Sequence, residues 1–290
     1  MEPIHKTTDR VWYITGTSSG LGLNLVQQLV KKPNTQVVAI TRNPTETQSR
    51  IDSKYLENVT IIKADVTNEE SVKESIKETM AKFGKIDCVV NNAGFGIIGA
   101  GEELSNEEIR KIFDVNFFGL LNVVRHVTPI LREQKSGYIF NISSVAGWLG
   151  LPEMGAYCSS KFAVSGLTAC LDQELSPFGI KVILLSPSGF KSNFVDTGMS
   201  IAKNRIDSYN TSDRCKWIDD IVNNARGDPD KFSETVINLS ENENPPKNVF
   251  LGTHAIQLMR MWFSAQAAEM EKNLDISIST DYEHAPKIEY

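Results

Sequence analysis

Tyr157 and Lys161 stand one helical turn apart and carry the clearest chemical possibility in the sequence. At i and i+4 of a helix they share one face. An ammonium beside a phenol favours the phenolate. The pair therefore predicts a Tyr157 whose pKa falls below the ordinary value of about 10 and which exchanges protons near neutrality. Ser144, thirteen residues before Tyr157 at the end of a predicted strand, offers a further hydroxyl donor. Taken alone, Tyr157 and Lys161 also fit an exposed aromatic beside a solvated lysine, so the reading rests on what else the chain brings to them.

A glycine-rich turn, Gly16-Thr17-Ser18-Ser19-Gly20-Leu21-Gly22, follows the first predicted strand and opens the first predicted helix. Glycines there permit a tight turn and close backbone approach to a pyrophosphate, and a helix N-terminus favours negative charge. The second predicted strand ends in Thr41-Arg42, where sites for NAD usually place a carboxylate against the ribose 2′-hydroxyl. An acid would repel a 2′-phosphate and a guanidinium can grip it, so Arg42 points to NADP(H) over NAD(H). Asp65 and Val66, after the third strand, are placed to touch an adenine. Asn91-Asn92-Ala93-Gly94, after the fourth, offers small residues on which a ribose could rest.

These residues need a scaffold. Short apolar runs at 11–15, 36–41, 59–64, 86–91, 137–143 and 180–186 read as buried strands. Between them, helices are expected from Leu21 to Lys32, from Asn68 to Phe83 with Gly84 beyond, from Ser105 with Glu108 as a capping box, and from Met154 to Ser176 before Pro177 and Gly179. The alternation predicts an α/β fold: a Rossmann-type, doubly wound parallel sheet in three α/β/α layers, forming one domain across 1–290. Ligands in such sheets bind beyond the carboxyl ends of the strands, where the residues above fall. After Ser186 the alternation weakens. Residues 187–230 are expected to lie over the site, with Trp148, Phe190, Phe194 and Met199 making it apolar. A helix from Pro229 to Leu239, an edge strand over Val249–Gly252 and a Met- and aromatic-rich helix from Ala255 to Met270 follow. That stripe is expected in core or interface packing. Residues 275–290 are expected to be polar and mobile.

The combination resembles the short-chain dehydrogenase/reductase family. Thr15 to Gly22 fits its TGxxxGxG motif, Asn91 to Gly94 its NNAG, and Ser144, Tyr157 and Lys161 its Ser with Tyr-x-x-x-Lys. Asn116, in Val115-Asn116-Phe117-Phe118-Gly119, fits the helix Asn that completes a tetrad. Of Ser143 and Ser144, the family's spacing selects Ser144. The resemblance implies that Ser144 holds the substrate oxygen, Tyr157 passes the proton, Lys161 also bonds the nicotinamide ribose, and Asn116 anchors a water chain. It further implies contacts to the cofactor from Pro187, Phe190 and Ser192. Here the sequence departs from the family's Pro-Gly-x-x-x-Thr, reading Pro187-Ser188-Gly189-Phe190-Lys191-Ser192. The turn also lacks a basic residue just before Gly20, so Arg42 carries the NADP reading. Arg226–Pro229 and Val249–Gly252 are similar to stretches of members with a longer C-terminal region, a group of carbonyl or hydroxysteroid-type reductases. The implied protein is a homodimer or homotetramer, assembled through the helices beginning near Ser105 and Met154, that reduces a hydrophobic ketone or aldehyde. A catalytically silent NADP-binding sensor on the same fold and an extended-type sugar-nucleotide epimerase are the alternatives.

Composition narrows the field. The formal net charge is −6, which disfavours nucleic acid and anionic membranes as partners. Cys88, Cys158, Cys170 and Cys215 lack Cys-x-x-Cys spacing and read as buried or half-buried free thiols. The four histidines are scattered, so no metal is expected. The first ten residues are polar, with no secretory pattern, and no apolar run approaches the roughly 20 residues of a membrane span, so the expected location is cytoplasmic.

Overall fold

The computed structural model describes residues 9–191, 198–209, 225–282 and 284. The apolar runs form a seven-stranded sheet from β1 (Arg10–Thr15), β2 (Thr35–Thr41), β3 (Val59–Lys63), β4 (Cys88–Asn91), β6 (Gly137–Ile142), β7 (Ile180–Pro187) and β9 (Asn248–Leu251). The strand order is β3-β2-β1-β4-β6-β7-β9, and every pairing is parallel. The chain winds outward from β1 in one direction and from β4 in the other. This places a crevice beyond the carboxyl ends of those two strands. A separate two-stranded parallel ribbon pairs β5 (Gly96–Ile98) with β8 (Met199–Ile201).

Strands covered on both faces must be apolar throughout, which is why their runs do not alternate. One face packs Val11, Tyr13, Val38 and Ile40 against α3 (Glu69–Phe83), α5 (Gly119–Gln134) and α6 (Gly155–Leu175) through Val72, Ile76, Val123, Val127, Val164 and Leu171. The other face packs Trp12, Ile14, Val37 and Ala39 against α1 (Gly20–Leu29) and α7 (Pro229–Glu241) through Leu25, Val26, Phe232 and Val236. A short α2 (Pro44–Ser49) follows β2, and α4 (Asn106–Phe113) precedes α5.

Element boundaries depart from expectation where side chains compete for backbone groups. The first helix ends at Leu29 rather than Lys32, because Lys31 and Lys32 make tighter bonds back to Gln28 and Leu29. The fourth strand starts at Cys88 rather than Ile86, because the Gln134 amide takes both the Ile86 N–H and the Ile86 carbonyl. Asn68 caps α3 and Gly84 closes it at φ 70°. Ser105 and Glu108 form the expected capping box on α4.

The C-terminal region continues in two helices. The Met- and aromatic-rich helix is α8 (Thr253–Lys272), and only Ala255 and Met259 on it are buried. Phe263 packs on Trp148 and Phe250, while Met261 and Met270 face solvent. Beyond it, where mobile chain was expected, α9 (Leu274–Ile278) forms, with Asn273 at the junction bonding back to Glu269. The thiol expectation also shifts: Cys88 and Cys158 are buried, Cys170 is exposed, and Cys215 lies outside the described residues. No helix among the described residues is long and apolar enough to cross a membrane.

Candidate active site

Several chain segments converge at the crevice. Thr15, the last residue of β1, accepts the N–H groups of Asn92 (3.1 Å) and Ala93 (3.2 Å) on its hydroxyl. Asn92 returns its amide to the carbonyls of Thr15 (3.1 Å) and Gly16 (3.0 Å). The turn after β1 is thus stitched to the turn after β4. This gives two of the glycines a reason of their own. A Cβ on Gly16 would lie 2.7 Å from the Ala93 Cα, and one on Gly22 would lie 2.3 Å from the Asn92 amide nitrogen and 2.4 Å from the Gly16 carbonyl. Gly16 also sits at φ 68° and Gly20 at φ 60°. We expect Gly22→Ala to cost about 1–3 kcal/mol by overpacking and to weaken cofactor binding together with stability. Thermal denaturation and a cofactor titration of the variant check this, and unchanged values in both would refute it.

Within this turn the side chains divide. Thr17 is buried and donates to the Ile40 carbonyl (3.0 Å), so its hydroxyl is committed to the fold. Ser18, Gly20 and Leu21 lie at the half-buried mouth. Ser19 is the N-cap of α1, yet its side chain makes no capping bond, and the first turn of α1 carries no acid. A helix N-terminus left uncapped and free of negative charge accommodates a phosphate. At the end of β2, Thr41 is buried and accepts from Asn43 N and Thr47 Oγ1. Arg42 is exposed, with no ion pair among the described residues. Asp65 uses one carboxylate oxygen on Thr67. Val66 is held by the Asn122 amide on its carbonyl (2.9 Å).

Ser144 ends the loop after β6, caps a short helical turn over Val145–Gly147, and hydrogen-bonds the Tyr157 hydroxyl. Its neighbour Ser143 points the other way. The Ser143 hydroxyl donates to the Lys161 carbonyl and meets Ser165, both inside the core. Tyr157 and Lys161 project from the same face of α6, with Nζ 5.8 Å from the phenol ring centroid. Both are buried, 6 % and 4 % exposed. Nζ donates to the Ile142 carbonyl (2.9 Å), leaving two of its three protons without a partner among the described residues. A Cβ on Gly94 would sit 3.3 Å from this Nζ and 3.2 Å from the Asn116 Oδ1, a cradle kept open by glycine.

Asn116 lies in a π-helical turn, Asp114–Phe118, between α4 and α5. Such turns re-aim one side chain out of register. Its amide donates to the Phe95 carbonyl and to Ser160 Oγ, both at 2.9 Å, and accepts from Phe95 N. Ser160 in turn donates to the Tyr157 carbonyl (2.7 Å). The Asn116 amide therefore fixes β5 to α6, and both of its donors are used.

Electrostatics correct one expectation. Burial, opposed by the Ser144 hydrogen bond, pushes the Tyr157 phenol up to about 12, and burial alone pulls Lys161 down to about 8. The expected lowering of the phenol by its lysine does not occur, because desolvation penalises both charged forms. At neutral pH Tyr157 is a protonated donor.

Two residues expected to line the substrate pocket pack elsewhere. Trp148 donates its indole N–H to Ser186 (3.0 Å) and stacks edge-on with Phe250 and Phe263. Phe190 lies edge-on to Phe232 and against Gly227, where any Cβ would strike its ring. Pro187 closes β7, while Ser192 and Phe194 lie outside the described residues. Met199 does sit beside Tyr157, in an apolar cluster with Ile98, Met154 and Leu151. The sequence reading missed Asn122 and Ser160, and it placed Thr15 in the glycine-rich motif without its hold on the turn after β4. Only Ser160, at i+3 from Tyr157, carried a spacing signal.

The family model described as short chain dehydrogenase matches residues 10–201. The chain belongs to the short-chain dehydrogenase/reductase family. It is 32% identical over 276 residues to an uncharacterized oxidoreductase of Schizosaccharomyces pombe, covering 94% of this chain and 92% of that one. It is 38% identical over 183 residues to a 3-ketodihydrosphingosine reductase of Bacteroides thetaiotaomicron, covering 63% and 65%. A solved short-chain dehydrogenase from Streptomyces avermitilis superposes with a TM-score of 0.86 at 29% identity, covering 94% of this chain and all of that one. The chain is thus an oxidoreductase of the short-chain dehydrogenase type, built on a Rossmann-like parallel sheet.

Proposed function

We propose that this oxidoreductase is NADP-dependent and interconverts a ketone or aldehyde with its alcohol, with Tyr157 as general acid and base. The observation that carries the reading is a buried Tyr157 phenol that shares its helix face with the buried Lys161 ammonium, 5.8 Å from the ring centroid, with Ser144 beside the hydroxyl. The similar 3-ketodihydrosphingosine reductase supports a ketone substrate.

The residues present fit a nicotinamide dinucleotide. The uncapped start of α1 suits its pyrophosphate, Arg42 a 2′-phosphate, and Asp65 and Val66 its adenine. The free Lys161 protons beside Gly94 suit a ribose. When bound, the nicotinamide would supply hydride in reduction and accept it in oxidation. Ser144 and Tyr157 then both donate to the carbonyl oxygen as negative charge grows there. Tyr157 gives up its proton, and the resulting phenolate is stabilised by Lys161 across the ring face. Asn116 holds α6 and β5 at the spacing this requires. A phenol raised to about 12 is in its donating form at neutrality, which favours reduction. The assembly is proposed to be a homodimer or homotetramer in the cytoplasm.

Initial rates with NADPH and NADH over a panel of aromatic ketones, aldehydes, keto esters and steroids test the reading. Tight NADPH binding with no turnover would replace it with a silent cofactor sensor. Arg42→Ala is expected to raise the NADPH KM by about ten- to a hundredfold, the worth of a charged hydrogen bond, with little change for NADH. Arg42→Asp should invert the preference. Equal effects on both cofactors would remove the NADP assignment.

A further inference from the structure

The ribbon of β5 and β8 has no counterpart in the sequence pattern, yet it carries Met199 to the catalytic phenol. Around the Gly96 Cα two side chains crowd together. A Cβ there would lie 2.5 Å from Met199 Sδ, 3.0 Å from its Cε and 3.1 Å from Tyr157 Cδ2. The strap continues from β8 with Ala202 N bonded to Ile98 O (2.8 Å), and the Ala202 methyl lies where a Cβ on Gly99 would be, at 2.7 Å. Two glycines therefore let the strap lie directly on β5.

What holds the far end of the strap is a pair of carboxylates. Glu103 is fully buried, at 0 % exposure, and divides its two oxygens: Oε2 accepts from Ala100 N (2.8 Å) and Oε1 from Ile206 N (2.8 Å). Arg205 stands 3.9 Å from the same Oε1. Glu108 accepts from Lys203 N (3.1 Å) on the oxygen its capping box leaves over. Tyr209 hydrogen-bonds Glu102. A fully buried carboxylate is costly to place, and here its two oxygens accept backbone N–H groups from the two sides of the ribbon.

We propose that Glu103 is a positioning residue that clamps the 199–206 strap over Tyr157, and that Met199 on that strap sets the size of the apolar group admitted beside the reacting carbonyl. The clamp needs an acceptor on each oxygen. A glutamine offers one acceptor and one donor, so Glu103→Gln keeps the volume and loses one of the two bonds. The selectivity half of the proposal rests on the carbonyl-reductase reading above, whereas the clamp half does not.

Hydrogen exchange of the free protein, read on peptides spanning 199–206, tests the clamp without any turnover. Glu103→Gln is expected to speed exchange there by about tenfold or more while the β1 and β4 amides keep their rates. Gly99→Ala, which pushes on the strap from β5 and leaves Glu103 intact, is expected to do the same. Unchanged exchange in both variants overturns the clamp. In steady state, Glu103→Gln should raise the ketone KM about tenfold with kcat within about threefold and NADPH binding unaltered. An equal fall in kcat and NADPH affinity would indicate a general structural role and overturn the positioning role. Met199→Ala should raise kcat/KM for a bulky ketone relative to a small one by about tenfold, and a uniform change across ketone sizes would overturn its part. If no ketone turns over even in the unaltered protein, the reductase reading fails and the exchange result still decides the clamp.

Discussion

Tyr157→Phe is expected to lower kcat/KM for ketone reduction by about a thousandfold or more, while NADPH affinity and thermal stability change little. A positioned general acid contributes roughly 10²–10⁴-fold, and the phenol also donates to the growing alkoxide, which puts the combined loss at the upper end. The ring is buried among Ile98, Met154 and Cys158, and phenylalanine retains that packing. The substitution removes the hydroxyl and with it the interaction with Ser144. Steady-state kinetics with a cofactor titration and a melting curve separate these effects. Activity within tenfold of the unaltered protein would contradict the assignment.

The second large effect separates stability from function. Lys161→Met is expected to abolish reduction and yet raise the melting temperature by several degrees near neutral pH. Lys161 is pulled from 10.5 to about 8 by burial, and a drop of that size, at about 1.4 kcal/mol per unit, is about 3 kcal/mol. The unfolded chain holds this proton more tightly than the folded one. Burial therefore costs stability in full below pH 8, and the cost fades as the pH rises from about 8 to the ordinary lysine value. Methionine fills similar space and removes the cost, less about 1 kcal/mol for the lost bond to the Ile142 carbonyl. The gain should shrink as the melts are repeated toward about pH 10. A variant less stable than the parent at neutral pH would show that the ammonium is better compensated than this account holds.

The fold and the juxtaposition of the candidate site residues were legible for different reasons. Strands buried on both faces must be continuous apolar runs, so Val11–Thr15 and Ile180–Ser186 could be placed by composition alone. Tyr157 and Lys161 were legible because helical spacing puts i and i+4 on one face. What failed depended on tertiary burial. The phenol was expected to be acidified by its lysine, but one sequence cannot show that both groups are cut off from water. Trp148 and Phe190 were assigned to the pocket by residue type, and packing against Phe263 and Phe232 took them elsewhere. The three-residue strands β5 and β8 are too short for any periodicity, and they pair across a long stretch of chain. Glu103 carried no sequence signal and received no reading. Only its burial against Ala100 and Ile206 sets it apart. The Gly16 and Gly22 positions were recognised for a cofactor, while their closest constraints are the Ala93 backbone for Gly16 and the Asn92 amide for Gly22.

The pH dependence of kcat/KM for carbonyl reduction tests most directly whether a buried phenol and its ammonium perform the proton transfer. The account predicts a plateau through neutrality, where Tyr157 is protonated and Lys161 charged, and a decline beginning near pH 8 as Lys161 loses its proton. A rate that climbs steadily from pH 7 to 10, as it would if the reactive form were a tyrosinate already present in the free protein, would contradict it.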